Sequence, residues 1–177
     1  MKGTIVKGIA GFYYVKAGEK IYQCKARGIF KKDGITHAVG DEVRIEKLDE
    51  DEAVIDEILP RRNSFIRPPI ANVDCFVIVV AAAKPDPNPD IIDKFLVMAE
   101  KNQTDIIICI NKIDLAAEEK REELEGIYRG LYPVVSVCGR TGQGIRELAD
   151  LMKNRKCALA GPSGAGKSTL LNRLQSR

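Results

Sequence analysis

With 177 residues, 45% of them hydrophobic and 30% charged, the chain holds enough apolar material for one large domain or two small ones, which excludes a disordered polypeptide. A formal net charge of +3 is too small to argue for nucleic acid by itself, so that argument rests on where the charges fall. Five cysteines, at 24, 75, 109, 138 and 157, form an odd set at wide spacings with no zinc-ligand pair, which predicts reduced core thiols in a cytoplasmic protein.

From residue 3 to about 58 the sequence predicts short strands at 4–9, 12–15, 20–26, 42–45 and 53–58. Alternating apolar and polar residues, punctuated by Gly and Asp, argue a small β-barrel of the OB type. Residues 1–32 carry eight Lys or Arg against one acid, a net of +7, whereas residues 33–57 carry ten acids against Arg44 and Lys47, a net of −8. If the barrel keeps these groups on different sides, one face is basic enough to lie along a phosphate backbone. Lys25, Arg27, Lys31 and Lys32 crowd one short stretch and are the candidates for RNA contact, with a solvated face as the plainer alternative. Phe12-Tyr13-Tyr14 could stack bases, but alternation is expected to bury at least one of them, and His37, the only histidine, is assigned no role.

The stretch 60–69 has too many prolines and bases for a helix or a central strand. This divides the chain into an OB-fold domain over 1–60, a linker over 61–72 and a second domain over 73–177. There the periodicity changes. Residues 73–82 form a continuous apolar run, 91–101 are amphipathic, and 105–110 read as a second buried strand. A charged helix over 118–131 with an ion-paired outer face, a strand over 133–137, a helix over 145–154 and a strand over 157–160 complete an alternation that predicts a parallel α/β sheet. The longest apolar run, near Phe76 to Ala83, is about eight residues against the roughly twenty that a membrane span needs, so no membrane partner is expected.

Three loops carry chemistry, each after a predicted strand. Asn111-Lys112-Ile113-Asp114 follows the second strand: a carboxylate accepts only, which suits the N1–H and exocyclic amine of guanine and disfavours adenine. The Lys stem can lie along the base, Asn111 can tie the loops together, and the plainer role for Asp114 is a helix cap. Ser136-Val137-Cys138, running into Gly139-Arg140-Thr141-Gly142, could turn backbone N–H groups toward the base oxygen, or be only a glycine-rich turn. Gly161-Pro162-Ser163-Gly164-Ala165-Gly166-Lys167-Ser168 matches G-x-x-x-x-G-K-[ST] between a strand and a helix that begins near Thr169. Its glycines would let backbone N–H groups cradle the β-phosphate, Lys167 would bridge the β- and γ-phosphates, and Ser168 would ligate Mg²⁺. In a parallel sheet all carboxyl ends share one edge, so the three loops are expected to converge whatever their order in the chain.

That order, base-reading motif first and phosphate loop last, resembles the circularly permuted GTPases, and most closely the ribosome small subunit-dependent GTPase (RsgA) family. The likeness covers the barrel, the Arg-Pro linker running into Ala71-Asn72-Val73-Asp74, and all three loops. It implies a multi-domain β plus α/β protein, an OB-fold barrel followed by a circularly permuted P-loop GTPase domain. The implied activity is GTP hydrolysis in late maturation of the small ribosomal subunit, stimulated by that subunit, with the barrel on ribosomal RNA and a monomer as the expected state. Family members continue into switch segments and a zinc-binding Cys/His domain, so a chain stopping at Arg177 is expected to be a fragment, with its catalytic residues beyond Arg177 and no zinc ligands of its own. Two other functions stay open: an RNA-binding module whose nucleotide domain does no chemistry, and a P-loop kinase or ATPase in which residues 111–114 match by coincidence.

Overall fold

Inward-facing apolar residues alternate with polar ones along β1 (Lys2–Ile9), β2 (Phe12–Ala17), β3 (Lys20–Ala26), β4 (Glu42–Lys47) and β5 (Glu52–Ile58). A computed structural model describing residues 1–27, 36–66 and 69–176 closes them into a barrel of order β1-β2-β3-β5-β4. β3 and β5 run parallel, while β1 and β4 close the barrel antiparallel. Ile5, Val15, Cys24, Val43, Ile45 and Ile55 fill the interior, as alternation requires of a small barrel. By its contacts the chain forms two units, Met1–Val73 and Asp74–Arg177.

Two expectations about the barrel change. A bulge on β1 between Ile5 and Lys7 breaks the alternation opposite the aromatic run, so Phe12, Tyr13 and Tyr14 are all half-buried and none is fully buried. Tyr13 packs against the barrel core and stacks on His37 with ring centroids 4.6 Å apart. The basic and acidic stretches are also not held apart, because closure joins β1 to β4 and β3 to β5. Lys2 pairs with Glu42 at 2.6 Å, Lys20 with Asp51 at 2.8 Å, and Arg27 with both Glu46 and Asp56.

Beyond β5 the proline-rich stretch carries a small hairpin, β6 (Ser64–Phe65) against β7 (Ile70–Ala71). Its anchor is an ion pair between a buried carboxylate and a partly exposed guanidinium. Arg61 donates from Nε to Asp41 Oδ1 at 2.6 Å and from its terminal nitrogen to Oδ2 at 2.8 Å, and the Ala38 N–H also donates to that carboxylate. Asp41 is fully enclosed, so its charge has to be satisfied within the protein, as this fork does. Ala71 N–H donates to Val39 O and Asn72 Nδ2 to Gly40 O. Gly40, at φ +93°, has no room for a side chain, since a Cβ would lie 2.0 Å from Ala71 O.

The second unit is a four-stranded parallel sheet of order β10-β9-β8-β11. Its strands are β8 (Cys75–Ala81), β9 (Asp105–Asn111), β10 (Val134–Ser136) and β11 (Cys157–Ala160). The helices are α1 (Pro89–Lys101), α2 (Glu118–Arg129), α3 (Ile145–Met152) and α4 (Lys167–Gln175). Every residue of β8 is buried, the signature of a strand covered on both faces. α1 starts where Asn88 accepts the Ile91 N–H and Pro89 takes the first turn, and it buries Ile92, Leu96 and Ala99, as N-cap and proline preferences dictate. Chain order reverses at β11, which returns to the far side of β8, so the loop after β11 stands beside the end of β8. Among the described residues no helix is long and apolar enough to cross a membrane.

Candidate nucleotide-binding site

Asn111, the last residue of β9, is 2% exposed and joins three loops. Its Nδ2 donates to Ala165 O in the glycine-rich loop at 2.9 Å, and its Oδ1 accepts the Gly139 N–H from the loop after β10 at 3.1 Å. Both halves of a buried amide are thereby used, and each bond reports a different loop. Gly166 is what allows the approach, because a Cβ there would lie 2.3 Å from Asn111 Nδ2.

Lys112 turns the chain out of β9 in the left-handed region, φ 62°, into the short 3₁₀ turn Ile113–Leu115. Its Nζ donates to Lys84 O, and Ile113 N–H donates to Val137 O at 3.4 Å. The Asp114 carboxylate accepts from the Cys138 thiol at 3.1 Å and from the Arg140 guanidinium at 2.8 Å. The Cys138 thiol is the main reason its carboxyl is held below the ordinary carboxylate range; burial opposes this, while its own backbone N–H and Arg140 reinforce it. An anionic acceptor is therefore maintained at the rim of a cleft of about 260 Å³.

Of the residues expected from sequence, Asn111, Lys112, Asp114, Cys138, Gly166 and Thr169 line that cleft. Ser136 and Val137 support it from behind: Ser136 Oγ bonds to Glu125 on α2, and Val137 is buried with its N–H on Ile110 O at 2.7 Å. Leu115, Gly139 and Arg140 also line the cleft, and Arg173 on α4 donates to the carbonyls of Gly139 at 3.1 Å and Arg140 at 2.6 Å. Arg140 could have been found from its place after Cys138. Arg173 carried no such signal, since a lone base on an exposed helical turn is unremarkable in sequence.

The glycine-rich loop leaves β11 at Gly161, φ +139°, where a Cβ would lie 2.2 Å from Val79 O on β8. Gly164 and Gly166 also take positive φ, a run that turns successive N–H groups toward one concavity. Ser163 and Gly164 form its exposed turn, Pro162 before them is half-buried, Ala165 is buried, and Lys167 opens α4. Lys167 Nζ bonds back to the carbonyls of Gly161 at 2.9 Å and Pro162 at 2.7 Å. Ser168 and Thr169 are exposed in the first turn of α4, where the helix dipole favours an anion. The exposed Ser168 hydroxyl fits a hard cation that keeps most of its ligands as water and phosphate oxygen. Among the described residues no group of three or more His, Cys, Asp or Glu is placed to hold a metal.

On the barrel, Lys25 extends over the Phe12 ring at 5.3 Å, and Arg27 lies between Glu46 and Asp56. Lys31 and Lys32 lie outside the described residues.

Two family profiles match, the RsgA N-terminal domain over residues 2–55 and the RsgA GTPase over residues 58–177. Among curated relatives, the small ribosomal subunit biogenesis GTPase RsgA of Alkaliphilus metalliredigens is 45% identical over 176 residues, 98% of this chain and 60% of that protein. The protein of the same name from Carboxydothermus hydrogenoformans is 48% identical over 175 residues, 98% and 60% of the two chains. The chain thus spans about 60% of the length of these relatives. Among solved structures, the crystal structure of YjeQ from Thermotoga maritima superposes with a TM-score of 0.89 at 40% identity, covering 98% of this chain and 64% of that one. YloQ, described as a circularly permuted GTPase, superposes with a TM-score of 0.80 at 36% identity, covering 97% and 63%. With both profiles matched in sequence order and the base-side loops preceding the phosphate loop, the chain belongs to the RsgA family of circularly permuted GTPases.

Proposed function

We propose that this chain is the RNA-facing barrel and the nucleotide-gripping part of a GTPase that acts in late maturation of the small ribosomal subunit and is stimulated by that subunit. The observation that carries the nucleotide reading is Asn111, whose buried amide holds the loop bearing Asp114, the loop bearing Cys138 and the glycine-rich loop to one another. The curated relatives' name, small ribosomal subunit biogenesis GTPase, supports the cellular role.

In this reading Asp114 accepts from guanine N1–H and the exocyclic amine, the Lys112 stem covers one face of the base, and Ile113 fixes the turn that aims Asp114. Ser136, Val137 and Cys138 shape the opposite wall. The backbone from Gly161 through Pro162, Ser163, Gly164, Ala165 and Gly166 to Thr169 surrounds the phosphates. Lys167, now on the carbonyls of Gly161 and Pro162, would supply a charge-assisted partner for phosphate oxygens. Ser168 would hold Mg²⁺, which would supply charge neutralisation at the phosphates. The groups that position water, and the zinc implied by the family, are assigned to parts of the protein outside this chain. The protein works as a cytoplasmic monomer.

Fluorescent GDP, ADP and xanthosine diphosphate titrated against the chain test the base assignment. GDP is expected to bind at least about 100-fold more tightly than ADP, because a site built on a polar acceptor leaves it unpaired with the wrong base. Asp114→Asn is expected to reverse the preference of GDP over xanthosine diphosphate. Equal binding of ADP and GDP would sink the guanine reading and favour an ATPase. Turnover of the full-length protein with and without small subunits tests the coupling, which an unchanged rate would remove.

A further inference from the structure

At the amino ends of the parallel strands, away from the nucleotide loops, Cys157 opens β11 and Cys75 opens β8, and the two are register partners. Partners on adjacent strands point to the same face, with Cα atoms about 4.8 Å apart, inside the span a disulfide bridges. The strand starts are pinned together: Asp74 N–H donates to Lys156 O at 2.9 Å, and Lys156 N–H returns to Asp74 Oδ2 at 2.6 Å. Cys75 is fully buried and Cys157 is partly buried against the same core, its thiol donating to Met152 O at 3.8 Å.

Their surroundings make them unequal. The neighbouring Cys75 thiol is the main reason the Cys157 proton is held less tightly; burial and Asp74 oppose it and Arg155 reinforces it. Cys75 moves the other way, raised first by Cys157 and then by burial. A partly exposed sulfur whose proton is held less tightly, next in register to a fully buried one, is the arrangement of an attacking and a resolving thiol. By contrast, burial pushes Cys24 up to about 11 and Cys109 up to about 12.

We propose that Cys157 and Cys75 form a redox-reactive pair that small disulfides of the glutathione class convert to an intramolecular disulfide. The Cys157 thiolate attacks one sulfur of oxidised glutathione, forming a mixed disulfide as the glutathione S–S bond breaks and one thiolate leaves. Cys75 then attacks Cys157 Sγ, the mixed disulfide breaks, and the Cys75 proton passes to the departing second glutathione thiolate. The chain gives up two electrons and two protons, and one oxidised glutathione becomes two reduced molecules. In a reducing compartment such a bond forms transiently, as an oxidation sensor would. None of the residues involved lines the nucleotide cleft, so the pair stands or falls independently of the guanine assignment.

The test incubates the full chain with excess oxidised glutathione, quenches with acid and maps the peptides by non-reducing mass spectrometry. The expected product is a peptide pair linked through Cys75 and Cys157 that retains no glutathione and is released by dithiothreitol. Cys75→Ser is expected to trap glutathione on Cys157, and Cys157→Ser to leave Cys75 unmodified. A wild-type chain that keeps glutathione on Cys157, or reacts first at Cys24 or Cys109, or stays reduced at both positions, would overturn the proposal. The wild-type map decides this even where a variant folds poorly.

Discussion

Arg140, in the loop expected to turn its N–H groups toward the base, places its guanidinium 2.8 Å from the Asp114 oxygen that a guanine would need. The side chain is 78% exposed, so the contact is a screened surface pair and easily given up. Arg140→Ala is therefore expected to tighten GDP binding by about two- to fivefold, as an exposed pair is worth a fraction of a kcal/mol; isothermal titration checks it, and weaker binding would mean that Arg140 touches the ligand instead. Asn111→Ala removes both bonds of a buried amide and strands Ala165 O and Gly139 N–H, at a cost of about 1–3 kcal/mol in stability. GDP affinity should fall at least tenfold with it. The pH dependence has a definite sign. Because the folded-state pKa of Asp114 is depressed, its contribution is fully present above the unfolded carboxylate value and is lost as pH falls through the lower folded value. GDP affinity should thus be flat through neutral pH and decline only below the usual carboxylate range, and Arg140→Ala should move that decline upward.

At the level of elements, the parallel sheet was legible because long apolar runs alternate with amphipathic ones, and the observed helices differ from expectation mainly at their ends. The helix over 145–154 stops at Met152, and α4 starts at Lys167, two residues before the expected Thr169, because Gly166 itself turns the chain into the helix in the left-handed region. The hairpin β6–β7 was not legible. Two-residue strands have no periodicity to detect, and what holds them is Arg61 on Asp41, a pairing between residues 20 apart in the chain. Asp41→Ala would strand the buried Ala38 N–H and release Arg61, and should destabilise the first unit by about 1–3 kcal/mol, measured by urea denaturation followed at a barrel residue. A loss below about 1 kcal/mol would mean that water replaces the carboxylate.

At the scale of the whole molecule, charge patterning misled where motif order did not. The net of +7 over 1–32 and −8 over 33–57 is a property of the line of residues, whereas OB-type closure lays the acidic strands β4 and β5 against β1 and β3. Arg27 is spent on Glu46 and Asp56, while Lys25 extends over Phe12. Lys25→Ala is consequently expected to weaken association of the full-length protein with small subunits more than Arg27→Ala does, and to reduce its salt dependence by about one phosphate contact; equal effects in a sedimentation assay across a salt series would refute the difference. The sequence by itself determined the barrel, the parallel sheet and the inverted order of the nucleotide loops, because periodicity and motif spacing are local and a parallel sheet brings its carboxyl-end loops to one edge. Only the tertiary structure decided which side chains hold those loops together, which charges cancel and which two thiols meet, because each depends on partners set by strand pairing and helix packing rather than by distance along the chain.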